Sequence, residues 1–200
     1  MESLPWVASF GAQRGMRYEA DADERWFRAW EPYTSLRVAI GYAHSLSATG
    51  RGGSMSVARM EVPTAFPLPG PAGGGTASAY AWIAIVQDER IDTKLALSND
   101  AGLLAEPRDA VGLPIHKTGD RSFDRVFATF ASSPADVAHA LTPSLRRLLL
   151  GWHVPLHVEL RPGGFIVSPV ALKPDPASLS WFLDVLPIFG HKASKRGQGS

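Results

Sequence analysis

The sequence predicts an α+β fold, in which a largely antiparallel sheet built from hairpins carries several short helices packed on it. Three observations support this prediction. Glycine-rich turns within residues 49–53 and 161–164 each join two strand-like segments. Helical segments interrupt the strands without the regular strand–helix alternation of parallel folds. Residues 79–87 form an uninterrupted apolar run of strand length, which is typical of an interior strand buried on both faces.

The N-terminal residues predict two short helices separated by a short strand. Ser3, followed by Leu4-Pro5, is a suitable start for a helix that runs to about Gln13. Residues 16–19 are then a strand candidate. Residues 21–30 place three aromatic side chains at spacings that share one helical face. We therefore expect the first true hairpin only after residue 30.

That hairpin is predicted from alternation on both sides of its turn. In residues 36–43 bulky side chains alternate with smaller or polar ones, and residues 54–62 alternate in the same way. The intervening Thr49-Gly50-Arg51-Gly52-Gly53 segment supplies the turn. Residues 63–78 contain four prolines and four glycines, so we interpret them as a long surface loop.

From residue 94 onwards, the sequence predicts further strands over residues 94–98, 123–131, 156–160 and 165–170. Three helices are predicted there because a capping residue precedes a proline, the favoured first helical residue; these are Ser133-Pro134, Thr142-Pro143 and Asp175-Pro176. The last helix is expected to reach about Phe189, with Pro187 ending or bending it. Residues 1–190 are predicted to be one domain, and residues 191–200 a disordered basic tail.

Composition excludes several classes of function. The chain has 200 residues, a formal net charge of +1 and no cysteine. A balanced charge offers no overall field for nucleic acid, so no nucleic-acid partner is expected. Without cysteine there are no disulfides, zinc–thiolate sites or iron–sulfur clusters. The N-terminus lacks the pattern of a signal peptide, and a membrane span needs about 20 apolar residues, so we expect a soluble, cytoplasmic protein.

The residue pattern predicts neither a metal site nor a cofactor. His153 and His157 have a spacing that chelates a metal only on a helix, and Pro155 lies between them. The glycine-rich segments lack the Lys-Ser/Thr ending of a phosphate-binding loop. Asp88, Glu89 and Asp92 surround an arginine and are interpreted as a solvated turn.

The last predicted helix is the candidate interaction surface. Its apolar residues occupy consecutive positions rather than one stripe, which is typical of a helix that is deeply buried or offers a face to a partner. We name Trp181, Phe182, Val185 and Phe189 as the candidate surface. A protein partner or self-association would fit this surface, whereas contact with a membrane surface is less expected.

The C-terminal half resembles an uncharacterised bacterial family of domains of unknown function. The resemblance rests on Phe123-Asp124-Arg125-Val126-Phe127, on residues 133–138 and on Leu141-Thr142-Pro143-Ser144-Leu145. It implies a Phe-Asp-x-x-Phe strand followed by a helix that begins Leu-Thr-Pro-x-Leu. No activity is established for that family, so the resemblance assigns no catalytic residue.

These observations favour a non-enzymatic module for binding or assembly, which acts through the apolar C-terminal helix or a pocket beside the sheet. The alternative is an enzyme whose site is assembled from distant loops, such as residues 63–78 and 99–120. The two hypotheses differ in one structural respect. An enzyme would require at least two of His44, His116, His139 and nearby carboxylates to meet in one cleft.

Overall fold

One antiparallel sheet organises the chain. The structure is a computed structural model, which describes residues 3–33, 36, 38–50, 53–63, 78–99 and 113–194. The strands in the described residues are β1 (Arg17–Asp21), β2 (Gly41–Gly50), β3 (Gly53–Pro63), β4 (Ser78–Gln87), β5 (Leu95–Ser98), β6 (Ile115–His116), β7 (Ala128–Ala131), β8 (Leu156–Arg161) and β9 (Gly164–Pro169). The helices there are α1 (Trp6–Gln13), α2 (Glu24–Arg28), α3 (Arg121–Asp124), α4 (Pro134–Ala140), α5 (Pro143–Leu150) and α6 (Pro176–Ala193).

The strand order is β1-β2-β3-β4-β9-β8-β5-β7-β6, and each of these neighbouring pairs is antiparallel. The prediction of an α+β fold with an antiparallel sheet is confirmed. Both predicted hairpins are present, since Gly50 pairs with Gly53 and Arg161 pairs with Gly164. Strand β4 lies inside the sheet between β3 and β9, as its apolar run predicts.

The alternation along β4 divides the protein interior into two cores. Trp82 and Ala84 face the larger core, which is completed by buried side chains from α1, α4, α5 and α6. Ile83 and Ile85 face the smaller core on the other side of the sheet, beneath α2. Both pairs are fully buried because helical or irregular chain covers each face. The uninterrupted apolar sequence of β4 follows directly from this two-sided burial.

The three predicted helix starts are confirmed by their capping hydrogen bonds. The Ser133 hydroxyl accepts from the Asp136 N–H at 3.2 Å, and the Thr142 hydroxyl accepts from the Leu145 N–H at 3.3 Å. In the same way, a carboxylate oxygen of Asp175 accepts from the Ser178 N–H at 2.8 Å. Each cap satisfies an N–H that would lack a partner in the first helical turn.

The strand predicted over residues 36–43 is wrong in its position, because β2 begins only at Gly41. The alternating apolar residues that motivate it include Val38 and Ile40, which are 69% and 50% exposed. Arg28 in α2 donates to the carbonyl oxygens of Ala39 and Ile40 at 3.4 and 3.2 Å. The segment therefore satisfies two carbonyls through a side chain instead of a strand partner.

The strand predicted over residues 123–131 is wrong in its first half. Asp120 caps the short helix α3 by accepting from the N–H groups of Ser122 and Phe123, so the strand starts only at Ala128. Phe123 and Phe127 are stacked with ring centroids 4.7 Å apart and lie in the larger core. Their four-residue spacing fits one helical turn better than a strand, in which they would also share a face.

Helix α6 continues past the point at which the sequence predicts its end. Pro187 lies inside it, and His191, Lys192 and Ala193, which the sequence assigns to the tail, are helical. Proline removes one backbone donor, yet the turns after it still form, since the Ser194 N–H donates to the Gly190 carbonyl at 2.9 Å. The rest of the predicted tail, residues 195–200, lies outside the described residues, as do residues 64–77 of the predicted loop. None of the helices in the described ranges is long and apolar enough to cross a membrane.

The close approach of β4 and β9 generates a first prediction. A Cβ at Gly164 would lie 2.2 Å from the Val86 carbonyl oxygen and 2.9 Å from the Trp30 ring. We expect Gly164→Ala to lower the free energy of unfolding by about 2–3 kcal/mol, because the strands would have to separate. Urea unfolding followed by circular dichroism measures this. Gly50→Ala is the control, since a Cβ there meets nothing within 4 Å; equal stability of the two variants would contradict the packing described.

Candidate binding cleft

A cleft opens where the β2–β3 hairpin, the end of β4 and the start of β9 meet the last turns of α6. One lobe of the cleft, the inner lobe, has a volume of about 420 Å³. This falls in the range of roughly 300–1,000 Å³ that is typical of small-molecule sites. The lobe is lined by Ala48, Thr49, Gly50, Gly53, Ser54, Met55, Val86, Gln87, Asp88, Arg90, Phe165, Leu186, Pro187, Gly190 and His191.

The inner part of this lobe is apolar because strand alternation points three side chains at α6. Ala48 and Met55 are paired across the β2–β3 hairpin, and Met55 is in turn paired with Val86 of β4. All three are partly buried against the larger core. They form one wall of the cleft, and α6 forms the other.

A glycine allows helix α6 to lie close to the sheet. A Cβ at Gly190 would lie 3.0 Å from the ring of Phe165 in β9, so a larger residue would push the helix outward. Phe165 also packs against Phe189, with ring centroids 4.9 Å apart. Leu186 and Phe165 are each only 1% exposed and form the floor of the cleft.

The middle of α6 contacts Arg14, the residue that follows α1. Arg14 donates to a carboxylate oxygen of Asp184 at 2.9 Å. This hydrogen bond from Arg14 holds the pKa of Asp184 below its ordinary value. The pair is solvent-exposed, so it contributes little to stability.

A second, more polar lobe of about 580 Å³ adjoins the first. The two lobes share seven lining residues: Thr49, Gly50, Gly53, Ser54, Gln87, Asp88 and Arg90. The second lobe adds Glu89 and Gly163. One continuous cleft therefore passes from an apolar interior to a polar mouth.

The polar lobe is built around a bidentate ion pair. Arg90 donates from Nε and Nη2 to the two carboxylate oxygens of Asp88 at 2.8 and 2.7 Å. Asp88 is 5% exposed, and the hydrogen bonds from Arg90 hold its pKa below the ordinary value. The Asp88 N–H donates to the Gly163 carbonyl at 2.9 Å, which ties this turn to the β8–β9 hairpin. The solvated turn predicted from the sequence is wrong at Asp88.

None of the four residues named as the candidate surface lines this cleft. Phe182 and Phe189 are buried in the larger core, 0% and 1% exposed, so the structure contradicts their assignment to a surface. Trp181 and Val185 are partly exposed, and Ile188 beside them is 48% exposed. Interaction through this strip of α6 remains a prediction.

The sequence reasoning missed the cleft-lining residues of α6, although a signal was present. Pro187 and Gly190 interrupt an otherwise bulky apolar helix. A glycine in the interior of a helix costs about 1 kcal/mol relative to alanine, so it indicates a close approach by another element. Here that element is β9 with Phe165.

The histidines that the enzyme hypothesis requires do not meet in one cleft. His44 in β2 and His116 in β6 occupy the second and ninth positions of the sheet order. At about 4.8 Å per strand, they lie roughly 30 Å apart. The His44 ring instead forms a hydrogen bond with the Tyr18 hydroxyl at 2.9 Å. His139 in α4 lies 3.8 Å from Asp92.

The structure separates the two histidines that have metal-like spacing. His157 is buried in β8, where its Nε2 lies 2.7 Å from Oε1 of Glu159, whereas His153 is exposed before the strand. Arg161 donates to Glu159 at 2.8 Å, so the buried carboxylate bridges two partners on the same strand. Over the described ranges, no three His, Asp or Glu side chains are grouped so that they could hold a metal ion.

Comparison with known proteins identifies a similar fold but assigns no activity. No family model matches the chain, and no curated protein matches it either. Among solved structures, it is similar to the crystal structure of the mycobacterial trehalose monomycolate transport factor A, TtfA, with a TM-score of 0.57. The two share 11% sequence identity over 91% of this chain and 93% of the other. At that identity the similarity shows a common fold alone.

The ion pair in the polar lobe generates a second prediction. We expect Asp88→Asn to lower the free energy of unfolding at pH 7 by about 1–2 kcal/mol, since it removes a charge-assisted hydrogen-bonded pair. The folded-state pKa of Asp88 is depressed, so the stabilisation is fully present above the unfolded pKa near 4 and is lost as pH falls through the folded pKa.

Urea unfolding of both proteins between pH 7 and pH 2 tests this. The difference in stability between wild type and Asp88→Asn is expected to shrink steadily below about pH 4. The exposed ion pair of Arg17 with Glu19 on β1 offers the control variant Glu19→Gln, for which little effect is expected. A difference for Asp88→Asn that does not change with pH would show that the pair is not ionic.

Proposed function

We propose that this protein is a binding module that holds an apolar ligand, or the apolar part of a ligand, in the cleft between α6 and the β2–β3 hairpin. The observation that carries the proposal is the composition of the inner lobe. Of the eight residues that line it and not the polar lobe, only His191 has a polar side chain. A concave apolar site bordered by a few polar groups is the usual form of a small-molecule site.

Three further observations support binding. The walls are held by side chains of the larger core, such as Phe165 and Leu186, so the site does not have to fold when the ligand arrives. His44, His116 and His139 lie on separate elements of the fold, so these three histidines do not form one acid–base constellation. The structural neighbour is described as a trehalose monomycolate transport factor, a role with which ligand binding is compatible.

Filling the inner lobe tests the proposal. Ala48 points into the lobe, so we expect Ala48→Phe to weaken binding of the uncharged fluorescent probe N-phenylnaphthylamine by at least about tenfold, or 1.4 kcal/mol. Fluorescence titration measures the Kd. Ser47→Phe is the matched control, because Ser47 is adjacent on β2 and points to the other face of the sheet.

Both variants must first show a wild-type circular dichroism spectrum and cooperative unfolding. Ser47→Phe is then expected to bind the probe as the wild type does. Equal affinity of wild type and Ala48→Phe would place the probe elsewhere and remove the support for the cleft. A wild type that does not bind the probe at all would also remove the support for the cleft.

Self-association through α6 is a second candidate, and the exposed strip favours it. Trp181, Val185 and Ile188 recur at helical spacing on a side of α6 different from the side that lines the cleft. Trp181 packs edge-on against Trp152, with centroids 5.9 Å apart, which holds one end of the strip rigid. Rigid aromatic and apolar side chains are typical of protein interfaces.

Analytical ultracentrifugation tests this candidate. If the strip is an interface, the wild type self-associates at micromolar concentration, and Ile188→Glu shifts it to monomer by placing a charge in the contact. Ser9→Glu, an exposed change on α1, is expected to leave the association unchanged. A wild type that remains monomeric at all concentrations would eliminate self-association and leave the cleft proposal intact.

A further inference from the structure

We propose that the ligand of the cleft is a small amphiphile, with an alkyl chain in the inner lobe and an uncharged, hydroxyl-bearing head in the polar lobe. This inference rests on the proposed function and names the chemical class of its ligand. It depends on three properties of the cleft: the order of its two lobes, their charge, and the hydrogen-bonding groups at the mouth.

The order of the lobes requires a ligand with two chemically different ends. The inner lobe is bounded by Met55, Val86, Phe165 and Leu186. The polar lobe adds Glu89 to the shared side chains of Gln87, Asp88 and Arg90. A wholly apolar ligand that filled both lobes would cover these polar groups without replacing their hydrogen bonds to water, which is unfavourable. A wholly polar ligand would leave the inner lobe unused.

The charge of the polar lobe disfavours an anionic head. Its described lining residues include two carboxylates, Asp88 and Glu89, and one guanidinium, Arg90. Arg90 already directs Nε and Nη2 at Asp88, so its charge is compensated within the protein. Glu89 is exposed at the mouth and adds a negative charge. An incoming carboxylate or phosphate would therefore meet net repulsion from the described side chains of this lobe.

The hydrogen-bonding groups of the mouth suit hydroxyls. Glu89 accepts hydrogen bonds, and the Thr49 hydroxyl can both accept and donate. The Gln87 amide oxygen already accepts from the Ser54 hydroxyl, so Gln87 offers mainly its NH₂ donors. A ligand hydroxyl can both accept and donate, so a head with several hydroxyl groups can satisfy all three side chains without bringing a charge into the lobe. Thr49 and Gln87 are exposed, which leaves them accessible to a ligand.

The experiment compares ligands that share one chain. Isothermal titration calorimetry at pH 7, below micelle-forming concentrations, measures the Kd for octyl glucoside, octanoate, octanol and glucose. We expect octyl glucoside to bind at least about tenfold more tightly than octanoate, and glucose alone to show no binding. Heptyl glucoside should bind about fourfold more weakly than octyl glucoside, because one fewer methylene group is buried.

Two variants separate the chain from the head. Ala48→Phe should weaken octyl glucoside and octanol alike. Glu89→Gln should tighten octanoate about threefold, because it removes a negative charge from the mouth. It should weaken octyl glucoside, because the head loses a charged hydrogen-bond acceptor. Glu19→Gln, on β1 and outside the residues that line the cleft, controls for a general change in net charge. Added salt should narrow the preference for octyl glucoside over octanoate in the wild type.

The outcomes distinguish the two proposals. If none of the octyl compounds binds, the proposed function and this inference both fail. If octanol binds and Ala48→Phe abolishes it, but octanoate binds as tightly as octyl glucoside, the cleft proposal stands and the uncharged head is wrong. An octanoate affinity that is unaffected by Glu89→Gln would likewise overturn the assignment of the head to the polar lobe.

Discussion

The packing of α6 on β9 is the contact on which the rest of the structure depends. Gly190 allows the helix to approach the ring of Phe165. The apolar side chains on the face of α6 that packs on the core are buried: Leu179, Phe182, Leu183, Leu186 and Phe189. Burying each such side chain contributes about 1.5–3 kcal/mol, and a whole domain is stable by only about 5–15 kcal/mol. Helix α6 therefore cannot leave the sheet without unfolding the larger core, so the cleft wall that it forms is rigid.

The opposite wall depends on glycines that bring backbone segments together. Gly53 has a positive φ of 142°, and a Cβ there would lie 1.9 Å from the Gln87 carbonyl oxygen. The hairpin turn thus lies directly against the end of β4, where the polar lobe begins. Because both walls are fixed by packing, Met55 and Val86 keep part of their apolar surface open to the cleft instead of collapsing onto α6. Apolar surface left open in this way is worth about 25 cal/mol per Å² to any ligand that covers it.

Much of the fold could be predicted from the sequence because local chemistry determines it. The uninterrupted apolar run of β4 indicates its burial on both faces. The caps at Ser133 and Thr142 each involve a hydrogen bond to a residue only three positions away. The strand predicted from Phe123 and Phe127 is wrong because a spacing of four places two residues on one face of a strand and of a helix alike. Only the cap at Asp120 distinguishes the helix from the strand. The cleft could not be predicted, since its residues come from four segments between positions 48 and 191 that only the sheet order brings together.

The burial of Asp88 is the strongest sign that the polar lobe has a role beyond stability. A turn after a buried strand needs no charge, and an exposed polar residue would serve it equally well. Removing a carboxylate from water is costly, and the Arg90 side chain that pairs with Asp88 is 62% exposed, so solvent screens part of their attraction. Besides its contribution to stability, the pair of Asp88 with Arg90 fixes the turn at the mouth and compensates the arginine charge. Selecting between heads of different charge is a use for which such a compensated pair is well suited.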